Sequence, residues 1–260
     1  GQGFGSNLIY GNAATPMPLD ILAIQQIYGA NMSYRTGDDT YQLDAVGIVQ
    51  TIWDAGGSDT FSASSFSYND GFHNASIDLR PGHYSQVGAG ISRFGIAYNV
   101  VIENAVGGSG NDSLIGNDAS NRLDGGAGND TMSGGYGDDI IEGAGGSDLM
   151  YGGDGADTFV FRHQNDFVTG HSDRIMDFSH AEGDLIDLSL IDANTAVSGN
   201  NAFTFSNAPS TAAGTIWLGT VNADGNQTVF INRDGGAYDH TIIVRVADLG
   251  TALQASDFVL

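Results

Sequence analysis

Residues 107–160 read GGSGNDSLI GNDASNRLD GGAGNDTMS GGYGDDIIE GAGGSDLMY GGDGADTFV, six consecutive nine-residue units of the form Gly-Gly-x-Gly-x-Asp-x-apolar-x. A fixed period held without a gap marks a solenoid, in which each unit is one turn-plus-strand that can bury its apolar side chain only against its neighbours. The glycines supply turn backbone that other residues reach only at a cost, and they leave carbonyl oxygens open. The aspartate adds a hard anionic donor, and the apolar eighth position faces inward from a short strand.

Energetics ask for a further stabilising agent. Each glycine costs roughly 0.5–1 kcal/mol relative to alanine, and one small apolar side chain per strand does not offset two or three of them. Two units make one full turn, so like faces recur every eighteen residues: Asp112, Asp130 and Asp148 stack on one edge, Asn121, Asp139 and Asp157 on the other. Stacked carboxylates repel unless a cation lies between them. Oxygen-only donors, with no cysteine or histidine in the repeats, select calcium over zinc or copper. The expectation is a calcium-binding parallel β-roll; a glycine-rich acidic linker would share the composition but not the strict phase. The second unit departs from the pattern, with Asn117-Asp118-Ala119 where the pattern has Gly-x-Gly and Asn121 in place of aspartate. The ion on its edge, next to Asp139, is therefore the least supported of the series.

Working outward, the formal net charge of -23 argues against binding nucleic acid or an anionic membrane surface. All eight basic residues are arginine, so no lysine chemistry is available, and the absence of cysteine excludes disulfides and thiol nucleophiles. No apolar run approaches a membrane span, and Gly1 to Asn12 lacks the basic and apolar regions of a signal peptide. With 41% hydrophobic residues the 260-residue chain can bury a substantial core as one elongated all-β body.

The stretch from Pro18 to Ala30 (PLDILAIQQIYGA) is the one expected helix: Pro18 fits a first turn, Asp20 suits the positive helix end and Gly29 stops it. Its residues Leu19, Leu22, Ala23, Ile24 and Ile27 cover more than one face, which should be buried against something. Residues 40–106 read as strands and turns (TYQLD, TIWD, DTFSAS, ASIDL, NVVIENA) leading into the roll. After it come a turn-rich segment, 162–184, and strand-like runs AFTF, TIWLG, QTVFIN and TIIVRV, the last two joined by the turn RDGGAYD. These are expected to form a β-sandwich closing the end of the roll. Upstream, Arg35-Thr36-Gly37-Asp38-Asp39 and Asp54-Ala55-Gly56-Gly57-Ser58-Asp59 combine glycine carbonyls with carboxylates. They form either a two-loop clamp for one ion or solvated acidic turns. Asp173, Asp177, Asp184 and Asp187 could hold another ion; Asp184 and Asp187 read more simply as strand-end and turn residues.

Several landmarks together resemble the C-terminal part of the serralysin-type secreted zinc metalloproteases: DILAIQQIYGAN, then RTGDDTY, WDAGGSDTF, VIENAVGGSGND opening the repeats, DFSHAEGDLIDLS, and the chain end DFVL. The resemblance implies an upstream ion held by Arg35 (through its carbonyl), Gly37, Asp39, Asp54, Gly56, Gly57 and Asp59. It implies a second near Val101 and Glu103, facing Gly108, Gly110 and Asp112. Further ions would lie among Gly125, Ala127, Gly128 and Asp130 with Gly143, Gly145 and Asp148. Others would lie among Gly134, Gly135, Gly137 and Asp139 with Gly152, Asp154 and Asp157, and Asp173 and Asp177 complete the expected set. It also implies that residues 1–34 are the remnant helix and linker of a catalytic domain, and that 35–260 are a calcium-binding roll and sandwich, with repeats at 107–160 and a cap carrying a secretion signal at 161–260.

The family's zinc is held by His-Glu-x-x-His-x-x-Gly-x-x-His, and no such run exists here. His73, His83, His163, His171, His180 and His240 lie in different segments. Met32-Ser33-Tyr34, which superficially resembles the Met-Ser-Tyr turn beneath the family's zinc, falls instead in the linker to the first calcium site. The reading is thus a calcium-dependent half of a secreted zinc metalloendopeptidase, with zinc only in a catalytic domain outside these residues. Its partners would be calcium, a one-step (type I) export apparatus engaging Asp257-Phe258-Val259-Leu260, and its own catalytic domain, with no nucleic acid and no stable membrane insertion. Two alternatives stay open: a stand-alone calcium-dependent binding or adhesion protein, favoured by an exposed aromatic stripe drawn from Phe203, Phe205, Trp217 and Phe230, and the roll of another secreted enzyme such as a lipase or alginate epimerase.

Overall fold

A computed structural model of the chain describes residues 16–43, 49–65, 74–88, 92–162, 171–235, 238, 240–248 and 251–260. His73, His163 and parts of the turn RDGGAYD fall outside them.

The nonapeptides fold into a two-layer parallel roll because the period of nine alternates the strands between two sheets. One sheet has eight strands in the order β1 (Thr40–Gln42), β3 (Thr60–Ser62), β7 (Asn104–Gly108), β9 (Arg122–Gly126), β11 (Ile140–Glu142), β13 (Thr158–Val160), β15 (Leu185–Asp187) and β20 (Phe258–Val259). The other has twelve: β16 (Thr204–Ser206), β17 (Thr215–Leu218), β18 (Asn226–Asn232), β19 (His240–Val246), β14 (Ser172–Phe178), β12 (Leu149–Asp154), β10 (Thr131–Tyr136), β8 (Ser113–Ile115), β4 (Ala75–Asp78), β5 (Tyr84–Val87), β6 (Ser92–Ile96) and β2 (Val49–Ile52). Within the repeats the register advances by eighteen residues, as in Met132↔Met150 and Ile141↔Leu123. Two units therefore make one turn.

The eighth-position side chains Leu114, Leu123, Met132, Ile141, Met150 and Phe159 are completely buried between the layers. In the eight-stranded sheet they belong to one apolar row running edge to edge through directly paired residues: Tyr41, Phe61, Ala105, Leu123, Ile141, Phe159, Ile186 and Phe258. The roll thus extends beyond its repeats in both directions. Its closing sandwich is a continuation of both sheets, joined through β14 and β19 on one side and β15 and β20 on the other.

Two local expectations are corrected. The segment 162–184, read as turns, contains the seven-residue strand β14, with Ile175 and Phe178 buried inward and Asp173 and Asp177 towards its two ends. NVVIENA, read as a strand, is irregular over 100–103, and β7 begins only at Asn104. Val100 and Ile102 are buried there as plugs of a crossover, so their hydrophobicity reflects burial and not strand pairing.

The expected helix forms as α1 (Pro18–Tyr28). The Met17 N–H donates to Asp20 Oδ2 at 3.2 Å, and Gly29 ends the helix at φ 81°. Pro18 is buried and Ile21 packs on the core, but Leu19, Ile24 and Ile27 are 66%, 51% and 71% exposed. Among the described residues no helix is long and apolar enough to cross a membrane.

Candidate metal centre

Each passage of the chain from one sheet to the other makes a turn, so the roll has two turn-lined edges. Edge one carries the turns from the eight-stranded to the twelve-stranded sheet: Gly108, Gly110, Asp112, Gly125, Ala127, Gly128, Asp130, Gly143, Gly145 and Asp148, followed by Asp173 at the start of β14. Edge two carries the return turns: Arg35, Gly37, Asp39, Asp54, Gly56, Gly57, Asp59, Val101, Glu103, Gly134, Gly135, Gly137, Asp139, Gly152, Asp154 and Asp157, with Asp177 near the end of β14. Val101 and Glu103 therefore do not face Gly108, Gly110 and Asp112. The whole of β7 lies between them, and a strand carries the chain from one edge to the other.

Along each edge the sixth-position aspartates form a ladder. On edge one, Asp130 Oδ1 accepts the Asp112 N–H (2.7 Å), Asp148 Oδ1 the Asp130 N–H (2.8 Å) and Asp173 Oδ1 the Asp148 N–H (2.9 Å). On edge two, Asp59 Oδ1 accepts the Asp39 N–H (2.8 Å) and Glu103 Oε2 the Asp59 N–H (2.8 Å). Asn121 Nδ2 donates to the Glu103 carbonyl (3.0 Å), and the ladder continues through Asp139, Asp157 and Asp184 at 2.7, 2.9 and 2.9 Å. Asp184 is thus the last rung of edge two, although its sequence context reads as a turn. Only the strand register, twenty-seven residues from Asp157 in place of eighteen, places it there. Asp187 is the turn residue it was read to be, bonding Ser189 N (2.9 Å) and Oγ (2.6 Å).

Each carboxylate rung after the first uses one oxygen to hold the preceding turn in register. The second oxygen of Asp59, Asp130, Asp139, Asp148 and Asp157 is buried and has no hydrogen-bond partner. Burial lifts these acids far above the ordinary 3.8: Asp59 and Asp157 to about 6, Asp130, Asp139 and Asp184 to about 7, Asp148 to about 8. Neighbouring carboxylates push in the same direction, Asp157 acting on Asp139 and Asp173 on Asp148. Burial also raises Asp112 and Asp177. Buried oxygens left unpaired at a regular spacing are costly unless something positive occupies the space beside them.

Glycine is what allows the turns to close on these oxygens. A Cβ on Gly134 would overlap Asp139 Oδ2, and one on Gly146, where φ is 148°, would overlap the Gly128 carbonyl. The donor set that results, carboxylate oxygens with stacked glycine carbonyls, contains no nitrogen or sulfur and fits calcium.

The upstream clamp assembles as well. Ligand oxygens of Asp39, Asp54 and Asp59 lie within 4.8 Å of one another, and Asp54 and Asp59 are buried. Gly57 stacks against the Gly37 carbonyl. The Arg35 guanidinium turns away, lying 4.9 Å from the Tyr41 ring centroid, while the Tyr41 hydroxyl donates to Asp54 Oδ2. The degenerate second unit is closed by amides: Asn121 Oδ1 accepts the Asn117 N–H (2.7 Å), and Asn117 Nδ2 donates to Ile102 O (2.8 Å). Both amide groups of Asn121 are engaged, so this rung carries no spare anionic oxygen. The Asp154 side chain is exposed and stands apart from the buried set. On the terminal sheet, Phe203 and Trp217 are buried and Phe205 packs on Phe258, while the half-buried Phe230 stacks on Trp217 and meets the exposed Tyr238.

The chain has relatives among known proteins. Residues 19–260 match the family described as peptidase M10 serralysin C terminal. The chain is 51% identical over 196 residues to serralysin of Proteus mirabilis, covering 70% of this chain and 39% of that protein. It is 44% identical over 261 residues to serralysin C of Dickeya chrysanthemi, covering 95% and 50%. It is 42% identical over 238 residues to the metallopeptidase AprA of Pseudomonas marginalis, covering 86% and 47%. A solved subunit of the Azotobacter vinelandii mannuronan C5-epimerase aligns with a TM-score of 0.46 at 29% identity, over 63% of this chain and 86% of that one. The chain spans half or less of the length of these curated relatives. Helix, clamp, repeats and chain end all fall within one matched stretch, and the chain belongs to the serralysin C-terminal family of the M10 peptidases.

Proposed function

We propose that this chain is the calcium-dependent C-terminal module of a secreted, serralysin-like zinc metalloendopeptidase, and that it supports type I export and folds when it meets calcium outside the cell. The observation that carries the reading is the row of buried, unpartnered carboxylate oxygens on Asp59, Asp130, Asp139, Asp148 and Asp157. Bound calcium supplies the positive charge that these oxygens lack. The residues that would hold it are the acids of the two edge ladders together with the glycine carbonyls stacked beside them.

Inside a cell, free calcium lies far below the ~10⁻⁴–10⁻³ M affinities of extracellular modules, so the carboxylates repel and the chain stays extended enough to thread. Outside, each filled site stabilises the folded state by RT ln(1 + [L]/Kd). Several sites at ~1 kcal/mol each together supply a large share of an ordinary domain's ~5–15 kcal/mol of stability. In this reading residues 1–34 link to the catalytic domain, which carries the zinc, and the exposed Leu19, Ile24 and Ile27 of α1 are where that domain packs. The export apparatus engages the C-terminal Asp257-Phe258-Val259-Leu260.

The test is far-UV circular dichroism of the purified chain with chelator and with millimolar calcium. The reading expects a coil spectrum that converts to strand on calcium addition; identical spectra in both conditions would refute it.

A further inference from the structure

The C-terminal tetrapeptide is built into the fold. Phe258 and Val259 pair in parallel with Ile186 and Asp187, and the Leu188 N–H donates to the Val259 carbonyl at 2.9 Å. Phe258 is 8% exposed and packs 5.9 Å from Phe205, and Leu260 rests on the same core. Asp257, 6% exposed, accepts the Gln254 N–H at 2.7 Å, and its Oδ2 lies 3.0 Å from His180 Nε2. The other ring nitrogen of His180 is 3.4 Å from Asp248 Oδ2, which also accepts the backbone N–H groups of His180 (2.7 Å) and Ala181 (3.2 Å). His180 thus stands between two carboxylates from the last segment of the chain, with its ring edge-on to Phe178 at 5.5 Å.

His180 belongs to the turn 179–184, whose far end is Asp184, the last rung of edge two. Asp184 Oδ1 accepts the Asp157 N–H, and its Oδ2 accepts the Ser179 N–H at 2.8 Å. The Gly183 and Asp184 N–H groups return to the Ser179 carbonyl at 3.2 and 3.1 Å. One short, internally bonded turn therefore carries at one end a ladder carboxylate that holds the N–H of Asp157, whose own second oxygen is unpartnered, and at the other end the clamp on the chain terminus.

We propose that the turn 179–184 couples the Asp157–Asp184 end of edge two to the docking of the C-terminal strand, so that Asp257-Phe258-Val259-Leu260 is withdrawn from solvent only when the site at Asp157 is filled. His180 is the positioning residue. The proposal rests on the calcium reading given above and adds a consequence to it. The terminal segment is free for a partner in an ion-poor compartment and is hidden once calcium is bound, which makes recognition of the terminus and folding mutually exclusive.

The experiment is hydrogen exchange with mass spectrometry on the 260-residue chain, with calcium and with chelator, following peptides from 253–260 and from the repeats. With calcium, the wild type protects both regions. In His180→Ala, the repeats stay protected at saturating calcium while 253–260 exchanges at least about tenfold faster, and in Asp184→Asn 253–260 exchanges faster as well. His180→Gln, which keeps a donor towards Asp257, recovers part of that protection.

Wild-type protection of 253–260 in His180→Ala overturns the proposal, because the His180 ring lies against Asp257 and Asp248 and not on a ladder carboxylate, and this variant does not depend on Asp184→Asn folding. If calcium protects the repeats in the wild type but leaves 253–260 unchanged, the coupling alone fails. If calcium alters neither region, the calcium-folding reading fails with it.

Discussion

Asp130 shows how one residue serves two purposes. Its Oδ1 holds the Asp112 N–H of the preceding turn, and its Oδ2 is buried with no partner, so the residue fixes register and leaves a negative charge to be answered. Asp130→Asn keeps the hydrogen-bond acceptor and removes the charge. The expected result is an unchanged fold at saturating calcium, with the calcium midpoint moved upward by ~10–100-fold, read by titration in circular dichroism. An unmoved midpoint would remove Asp130 from the ion set. The raised acids also give a signed pH dependence. Between an unfolded value near 3.8 and folded values of about 6 to 8, the ion-free folded state binds more protons than the unfolded chain. Its stability is therefore fully present below about pH 4 and is lost as pH rises to about 8. Calcium competes with those protons, so the calcium midpoint falls to lower concentration between pH 5.5 and 7.5. A midpoint that weakens over that range would contradict the assignment.

At the scale of elements, hydrophobic pattern and capping residues located α1 and most strands, and they failed where charge and burial mislead. SDRIMDF carries three charges in seven residues and reads as a turn; it is a strand because Ile175 and Phe178 meet the core while Asp173 and Asp177 reach the two edges. Val100, Val101 and Ile102 read as a strand, yet they form a crossover in which Val100 and Ile102 are buried and Val101 is 45% exposed. The helix has the reverse problem: its residues were legible, but Leu19 and Ile27 are left uncovered by the described residues. Replacing both by serine is expected to reduce self-association in analytical ultracentrifugation while leaving the calcium-induced spectral change intact, since neither residue touches the ladders. Loss of the calcium response in that double variant would show that α1 belongs to the roll and not to a docking surface.

For the whole molecule, a net charge of -23 and two files of stacked carboxylates predict an expanded ion-free chain. Small-angle scattering should show a radius of gyration near ~55 Å in chelator, falling towards ~20 Å with calcium, by the scaling for unfolded and compact chains of this length. A compact ion-free form would mean that the apolar row from Tyr41 to Phe258 suffices without cations. The sequence by itself determined the period, the two-units-per-turn register, the inward residue of each strand and the chemistry of the donors, because these depend on local spacing and residue type. The tertiary structure alone decided which turns share an edge. It put Glu103 on the edge away from Asp112 and bonded it to the Asp59 N–H, joined the upstream clamp to the repeat ladder through Asn121, and made Asp184 its final rung. The physical reason is that outside the nonapeptides the spacing between paired residues changes from eighteen to twenty, twenty-five or twenty-seven, so only strand pairing across the sheets can bring those carboxylates into line.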